Sequence, residues 1–479
     1  MIKSKEKSLD KQSNWQLISL LSRVSAMIVG IIQSFIILRI LSQNDFGAVK
    51  IVLSLTALVG VSGAFGITSG STREIARASE DKEVFKIFLT SLITRVLLIL
   101  PFVFILFYFA ERLAGDIQNK QQIIWALKIS SLVLFVQSFQ GVFNSVLSGL
   151  KKFKILFWFQ SLISLVSIIF YVIFVYLFSF YGYFYALLAF NSVSTLILAF
   201  IAFSNFKKFY SLNFKDFKNI AKEILGISLV IYLVKIVFEY WQQSPILLSK
   251  DYVDLSQTAV IAFALFFESK IMVIRDTVTD VNLPYLSTAY KKDKKEFNIK
   301  FKRNFKKVTL FSTFICVGMV LFGGEVIFIV SNYIVKKNYN YSSVVLPLMV
   351  LGYWSYSLIN VLKSSVFVPA KKLGLLMVVF IFLIFSVYSI FYIPLFLNEP
   401  LFKIAFSFGI GSFISLWLCS FLVYNKLNIL IFDKNILILI LISLIICLIS
   451  ILFNVFILKS ILFIPFTLYC YKLLKNAKS

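Results

Sequence analysis

Histidine is absent from all 479 residues. That removes the commonest general base, the histidine-containing nucleophile triads and every His-ligated metal site. Cysteine is scarce. Cys316, Cys419, Cys447 and Cys470 all fall inside apolar stretches, without metal-ligand spacing; they read as small packing residues, not as disulfides or ligands. No phosphate-cradling Gly-x-x-x-x-Gly-Lys-Ser/Thr segment is present, which argues against an ATPase. Acidic side chains are few, 22 against 48 basic ones, for a formal net charge of +26. In a soluble protein that surplus would suggest nucleic acid. Here it is scattered over short gaps between apolar runs, none long enough for a soluble domain, so nucleic-acid binding is not expected. The first tail is polar and charged, and the run after it carries Arg23 and Arg39, so no cleavable signal peptide is expected.

What the chain has in abundance is hydrophobic sequence. Fourteen apolar runs cover 15–40, 49–72, 87–110, 123–147, 155–179, 183–205, 223–248, 254–286, 308–331, 343–368, 374–397, 401–424, 433–454 and 455–474. Most approach the ~20 residues that a helix needs to cross a bilayer. Lysine and arginine cluster in every second gap, about 32 of them against about nine in the others, which places the rich gaps and both termini in the cytoplasm. Nine lie between Lys291 and Lys307 alone, read as a basic loop suited to anionic lipid. The fold expected is an all-α polytopic membrane protein of about 14 transmembrane helices. Twelve fall into two sets of six with the same orientation, as parallel repeats require. The organisation is a tail at 1–14, a six-helix lobe at 15–205, a basic connector at 206–222, a second six-helix lobe at 223–424, and two further helices with a tail at 425–479. A faint internal echo supports the repeat. The second helix of each half is entered near Asp45 or Asp254 and left through Asp81-Lys82-Glu83-Val84-Phe85 or Asp293-Lys294-Lys295-Glu296-Phe297.

Charges inside apolar runs are costly and invite a functional reading. Seven basic residues sit well inside runs (Arg23, Arg95, Lys128, Lys235, Lys270, Arg275, Lys363), and four acidic ones join them (Glu239, Glu268, Asp276, Asp280). Lys235 and Glu239 stand four apart, on one helix face and able to pair. The surplus of positive charge points to an anionic ligand, for which Arg23, Arg275, Lys363, Lys270 and Lys235 are the candidate contacts, arginine being the better partner for pyrophosphate. Glu239, Glu268, Asp276 and Asp280 are candidate ion-coupling groups. No cofactor or metal is expected; H+ and Na+ stay open as coupling ions. Arg95 and Lys128 read as side chains that snorkel to an interface. The Gly60-x-x-Gly63-x-x-Gly66-x-x-x-Gly70 stripe reads as close helix packing or as a bending point. Trp158, Tyr171, Trp241, Tyr356 and Asn360 are possible sugar contacts, each also readable as packing. The external acids Asp116, Asp251 and Glu399 sit in no catalytic pattern, which argues against a polymerase, ligase or glycosyltransferase.

Several short motifs resemble one family. Leu21-Ser22-Arg23-Val24 and Leu38-Arg39-Ile40-Leu41-Ser42-Gln43-Asn44-Asp45-Phe46-Gly47 resemble the first two helices of bacterial polysaccharide flippases, the Wzx-like O-antigen and capsule flippases of the multidrug/oligosaccharidyl-lipid/polysaccharide exporter superfamily. Ala64-Phe65-Gly66-Ile67 with Arg73-Glu74-Ile75-Ala76, Leu283-Pro284-Tyr285-Leu286-Ser287 and Phe322-Gly323-Gly324-Glu325 are similar to later segments of that family. Ser25-Ala26 departs from the Leu-Gly that relatives often carry after the Arg-Val. The resemblance implies two six-helix lobes around a central cationic cavity. It implies alternating access that carries an undecaprenyl-pyrophosphate-linked oligosaccharide across the bacterial inner membrane, and a pyrophosphate contact at Arg23. Membrane lipids, and a polysaccharide polymerase and chain-length regulator, would be its partners. The alternative is an ion-coupled multidrug or metabolite antiporter of the same superfamily, for which an acid-dominated cavity would be expected.

Overall fold

The computed structural model describes residues 25, 27–206, 208, 210–268, 294–370, 372–393, 398–429, 431–453 and 455–475. Each regular element among them is helical. In chain order these are α1 (Met27–Ile40), α2 (Gln43–Ser62), α3 (Ile67–Arg77), α4 (Asp81–Tyr108), the short α5 (Ala110–Ala114), α6 (Lys120–Gly149), α7 (Phe153–Phe203), α8 (Phe214–Tyr252), α9 (Leu255–Glu268), α10 (Lys294–Ile329), α11 (Ser342–Leu362), α12 (Leu373–Tyr392), α13 (Pro400–Leu427), α14 (Lys434–Leu452) and α15 (Phe456–Lys475). Among the described residues nine helices are long and apolar enough to cross a membrane, and Met27–Ile40, Leu255–Phe267 and Lys434–Ser450 are shorter apolar helices. The protein is an all-α, multi-pass membrane protein.

Local chemistry explains where several helices begin. Ser42 caps α2: its hydroxyl oxygen accepts from the Asp45 amide at 3.0 Å and its hydroxyl donates to the Asp45 carboxylate at 2.7 Å. This reciprocal cap stops α1 and restarts the chain, a physical reason for Ser-x-x-Asp in the motif around it. The repeat echo also lies at helix starts. Val84 and Phe85 are buried in the first turns of α4, and Phe297 is buried in the first turns of α10.

Three expectations are corrected. The apolar run 49–72 is not one helix, because the chain breaks at 63–66 between α2 and α3, where Phe65 (φ 45°) and Gly66 (φ 67°) are left-handed. The stretch Lys291–Lys307, read as a loop, is helical from Lys294 onward. Phe297, Phe301 and Phe305 recur every fourth residue there, each about 1 % exposed and in ring contact with the next. That apolar spine gives a lysine-rich segment a face to bury. Likewise α8 begins at Phe214, inside the segment read as a connector. Runs 155–179 and 183–205 together form α7, which turns at Ser179 (φ 48°). Ring contacts Tyr171–Tyr183 and Phe170–Phe190 bring its two arms together antiparallel.

The chain divides into two compact units. The first holds Met1–Glu239 with Asp254–Ser256, the second Tyr240–Val253 with Gln257–Ser479. In the first, Phe88, Val146, Leu147 and Ile224 centre a core shared by α3, α4, α6, α7 and α8. Only 17 % of the apolar window of α7 is buried; exposed Leu196, Phe200 and Leu162 along it would be intolerable in water and suit lipid contact. At the edge of this unit, outside the apolar runs, Lys86 Nζ lies 2.5 Å from Asp216 Oδ2. The hydrogen bond from Lys86 holds the Asp216 carboxyl below its ordinary range. A depressed carboxylate contributes stability above the unfolded-state value and loses it as pH falls through the folded one. Protection of the α4–α8 contact should therefore weaken on acidification below the ordinary carboxylate range, and Asp216→Asn should remove that acid dependence. Hydrogen exchange of residues 81–90 against pH would check this; an unchanged acid profile in the variant would refute it.

In the second unit α11 is the central helix, with 78 % of its apolar window buried. Small residues let it pack closely on α13, and α13 on α12. Trp241 is fully buried, donates from Nε1 to Ser412 Oγ at 2.8 Å, and stacks on Tyr356 and Phe408. The last two helices join this unit through Leu310, Val317, Leu321, Phe466 and Cys470. No disulfide joins the cysteines among the described residues; Cys316, Cys419 and Cys470 are buried.

Candidate functional site

The first unit contains a cavity of about 430 Å³ walled by α2, α4, α6, α7 and α8. Its charged lining is Arg95, Lys235 and Glu239; Thr56, Gln137 and Ser138 add neutral polar groups. Each lies near the middle of its apolar run, a depth at which transporters commonly bind their substrates. Ala57 and Gly60 of α2 and Ala64 in the break that follows line one wall, so Gly60 of the small-residue stripe makes room for the cavity.

Arg95 is the residue that sequence reasoning misplaced. It does not run out to an interface: its Nη1 donates to the Gly63 carbonyl at 2.9 Å, and its Nε is buried with no hydrogen-bond partner among the described residues. The carbonyl it reaches is exposed by the α2–α3 break. The neighbouring Ser62 carbonyl accepts from the Tyr232 hydroxyl, and the Tyr232 ring stacks on Phe65 at 4.9 Å. Helices can be interrupted at membrane depth only where such partners satisfy the freed backbone. Gln137 was also missed. It is fixed by Asn191, whose Oδ1 accepts from Gln137 Nε2 at 3.1 Å while its Nδ2 donates to the Leu187 carbonyl at 2.7 Å. A polar Gln–Asn pair across two apolar runs was the available signal.

Of the residues singled out from sequence, Lys235 and Glu239 share this cavity. Lys363 lies in the second unit, half-buried, at the head of the π-helical turn Lys363–Phe367 that ends α11. Glu268 is the last residue of α9. Arg23, Lys270, Arg275, Asp276 and Asp280 lie outside the described residues. Lys128 is exposed, with Nζ 5.5 Å from the centre of the Phe107 ring, as expected of a side chain reaching an interface. Among the possible sugar contacts, Trp241, Tyr356 and Tyr171 are buried packing residues and Trp158 is exposed. Asn360 is buried. The external acids have structural partners: Asp116 with Lys120 (3.8 Å), Asp251 with Lys250 (3.7 Å), and Glu399 with the Tyr341 hydroxyl. That last bond pushes the Tyr341 phenol up to about 12.

Residues 14–249 match the sequence pattern of a family described as polysaccharide biosynthesis protein, a stretch that holds every residue lining the cavity. No curated protein matches the chain. Among solved structures it is similar to the lipid II flippase MurJ in an inward closed conformation, at TM-score 0.73 and 17 % identity over 97 % of this chain and 100 % of that one. It is also similar to an inward-facing multidrug resistance MATE family transporter of the MOP superfamily, at TM-score 0.64 and 17 % identity over 86 % and 98 %. A third likeness is to a MOP superfamily transporter from Pyrococcus furiosus described as having reversed binding-pocket polarity, at TM-score 0.56 and 17 % identity over 87 % and 95 %. At these identities the likeness establishes a shared fold. The resemblance read from the sequence is borne out: the chain carries, over residues 14–249, the pattern of the polysaccharide biosynthesis protein family on the fold of MOP superfamily flippases and transporters.

Proposed function

We propose that the protein is a flippase, not an enzyme, that carries undecaprenyl-pyrophosphate-linked oligosaccharide repeat units across the bacterial cytoplasmic membrane by alternating access, for O-antigen, capsule or exopolysaccharide synthesis. The observation that carries this reading is the cavity of the first unit. Two cations and one carboxylate line it, and it lies within the stretch that matches a polysaccharide biosynthesis family. Such a lining favours an anionic head group over the cationic compounds that an acid-dominated cavity would take. Arg23, Arg275, Lys270 and Lys363 join Lys235 as proposed pyrophosphate contacts. Glu239, with Glu268, Asp276 and Asp280, is the proposed coupling set for H+ or Na+. Both termini would lie in the cytoplasm, and a polymerase and chain-length regulator would act on the delivered repeat.

Deletion of the gene should leave complete lipid-linked repeats on the cytoplasmic leaflet, measured in spheroplasts, and should abolish surface polymer. Complementation by Arg23→Ala, Arg275→Ala or Lys235→Ala should fail while the protein stays in the membrane. Unjoined single repeats on the outer surface would instead identify a polymerase. An unchanged lipid-linked pool with altered drug sensitivity would identify an antiporter.

A further inference from the structure

The break between α2 and α3 and the cavity share one side chain. At 63–66 the helix is interrupted, and Phe65 and Gly66 hold left-handed backbone. The freed Ser62 and Gly63 carbonyls are taken by Tyr232 and Arg95 respectively. Arg95 also lines the cavity beside Lys235 and Glu239, and its Nε has no hydrogen-bond partner among the described residues. The guanidinium thus spends Nη1 on a neutral carbonyl while its residue lines the cavity, and its buried Nε makes no hydrogen bond among the described residues. Phosphate-type oxygens are stronger acceptors than that carbonyl, since they are charged and accept two parallel N–H bonds.

We propose that Arg95 couples occupancy of the cavity to the break in α2–α3: diphosphate oxygens held by Arg95 and Lys235 draw the guanidinium off the Gly63 carbonyl. A carbonyl left bare at this depth must find another donor. The donor in helical register with it is the Ile67 amide, which now reaches the Ala64 carbonyl at 3.2 Å. Taking it by the ordinary i to i+4 bond rewinds the turn and joins α2 to α3. Arg95 is then a positioning residue, acting through backbone it caps. The anionic class of ligand rests on the reading above; the coupling rests on the geometry of the break.

The test is hydrogen exchange of residues 60–70 in the purified full-length protein. One arm adds inorganic pyrophosphate against sodium chloride of equal ionic strength. A second uses nanodiscs with or without polyprenyl diphosphate, which separates a free anion from a lipid head group. Rewinding should slow exchange of the Phe65 and Gly66 amides by about tenfold, the factor that an ordinary backbone hydrogen bond represents. Response to both sources, or to one alone, supports the proposal and identifies the source. Arg95→Gln should still bind, more weakly, without slowing exchange. Lys235→Gln should need more ligand to reach the same slowing. Should Arg95→Gln not fold, Tyr232→Phe, which removes the other cap, should show the same slowing at lower pyrophosphate. Unchanged exchange in the wild type with either source overturns the proposal, as does equal slowing in Arg95→Gln. Either result leaves the flippase reading to the spheroplast assay, which fails on different grounds.

Discussion

Lys459→Met should destabilise the protein by about 3–5 kcal/mol, the usual cost of removing one member of a buried ion pair. Lys459 is 3 % exposed, in the first turn of α15, and its Nζ lies 2.6 Å from Glu325 Oε1 near the end of α10. The other carboxylate oxygen of Glu325 is buried without a hydrogen-bond partner among the described residues. Removing the ammonium leaves that carboxylate, whose side chain is 32 % exposed, uncompensated on a helix whose Phe322 ring packs on Phe456 and Phe463 of α15. Lipid and aromatic rings supply no donor, so the full desolvation penalty returns. The double variant Glu325→Gln, Lys459→Met should recover most of the loss, because no charge then remains buried. Thermal unfolding of the detergent-solubilised protein, read as monodisperse protein surviving a heating series, checks both. A single variant as stable as the wild type, or a double variant no better than the single, would show that the pair does not hold α15 to α10.

That ion pair illustrates what could be read from the sequence. Lys459 lies inside the last apolar run and Glu325 inside a family-like segment, and neither position shows the other as its partner. Their partnership spans 134 positions in the chain. The helices themselves were legible because a bilayer imposes one length and one composition on whatever crosses it. The breaks were less so. Gly63 and Gly66 could have marked packing or bending, and what decides for bending is two donors from distant helices, Arg95 and Tyr232. Lys294–Lys307 looked like a loop because its charges dominate its average, whereas its phenylalanines at every fourth position set its structure. The site was half legible on the same terms. Lys235 and Glu239 were found because charge in an apolar run is costly wherever it occurs. Arg95 was noticed for that reason and then sent the wrong way, since hydropathy records how deep a cation lies but not the direction in which its side chain turns.

Gly409→Val should be the more damaging change in the second unit. A Cβ at Gly409 would lie 2.4 Å from the Leu348 carbonyl oxygen and 3.1 Å from its carbon. Both are backbone atoms of α11, so neither can step aside as the end of a side chain could. The helices would have to separate, and the loss would spread. One turn away, Gly352 faces the Phe408 ring, which stacks on Trp241. Ser386 donates to the Gly411 carbonyl at 2.8 Å and lies 2.9 Å from Ser415 Oγ, tying α12 to α13 across the same small-residue surface. In lipid this close fit is itself the attraction between helices, as there is no water to drive them together. Gly409→Ala should cost about 1–3 kcal/mol, the range for overpacking, and Gly409→Val more, with most of the protein lost from the membrane fraction. Gly374→Ala is the control. No atom lies within 4 Å of a Cβ there, and alanine in a helix is better than glycine by about 0.5–1 kcal/mol. Membrane abundance and heat survival should therefore fall in the order Gly374→Ala, Gly409→Ala, Gly409→Val. If Gly409→Val matched Gly374→Ala, α11 and α13 would be free to move apart, and the tight core around Trp241 could not be what holds this unit together.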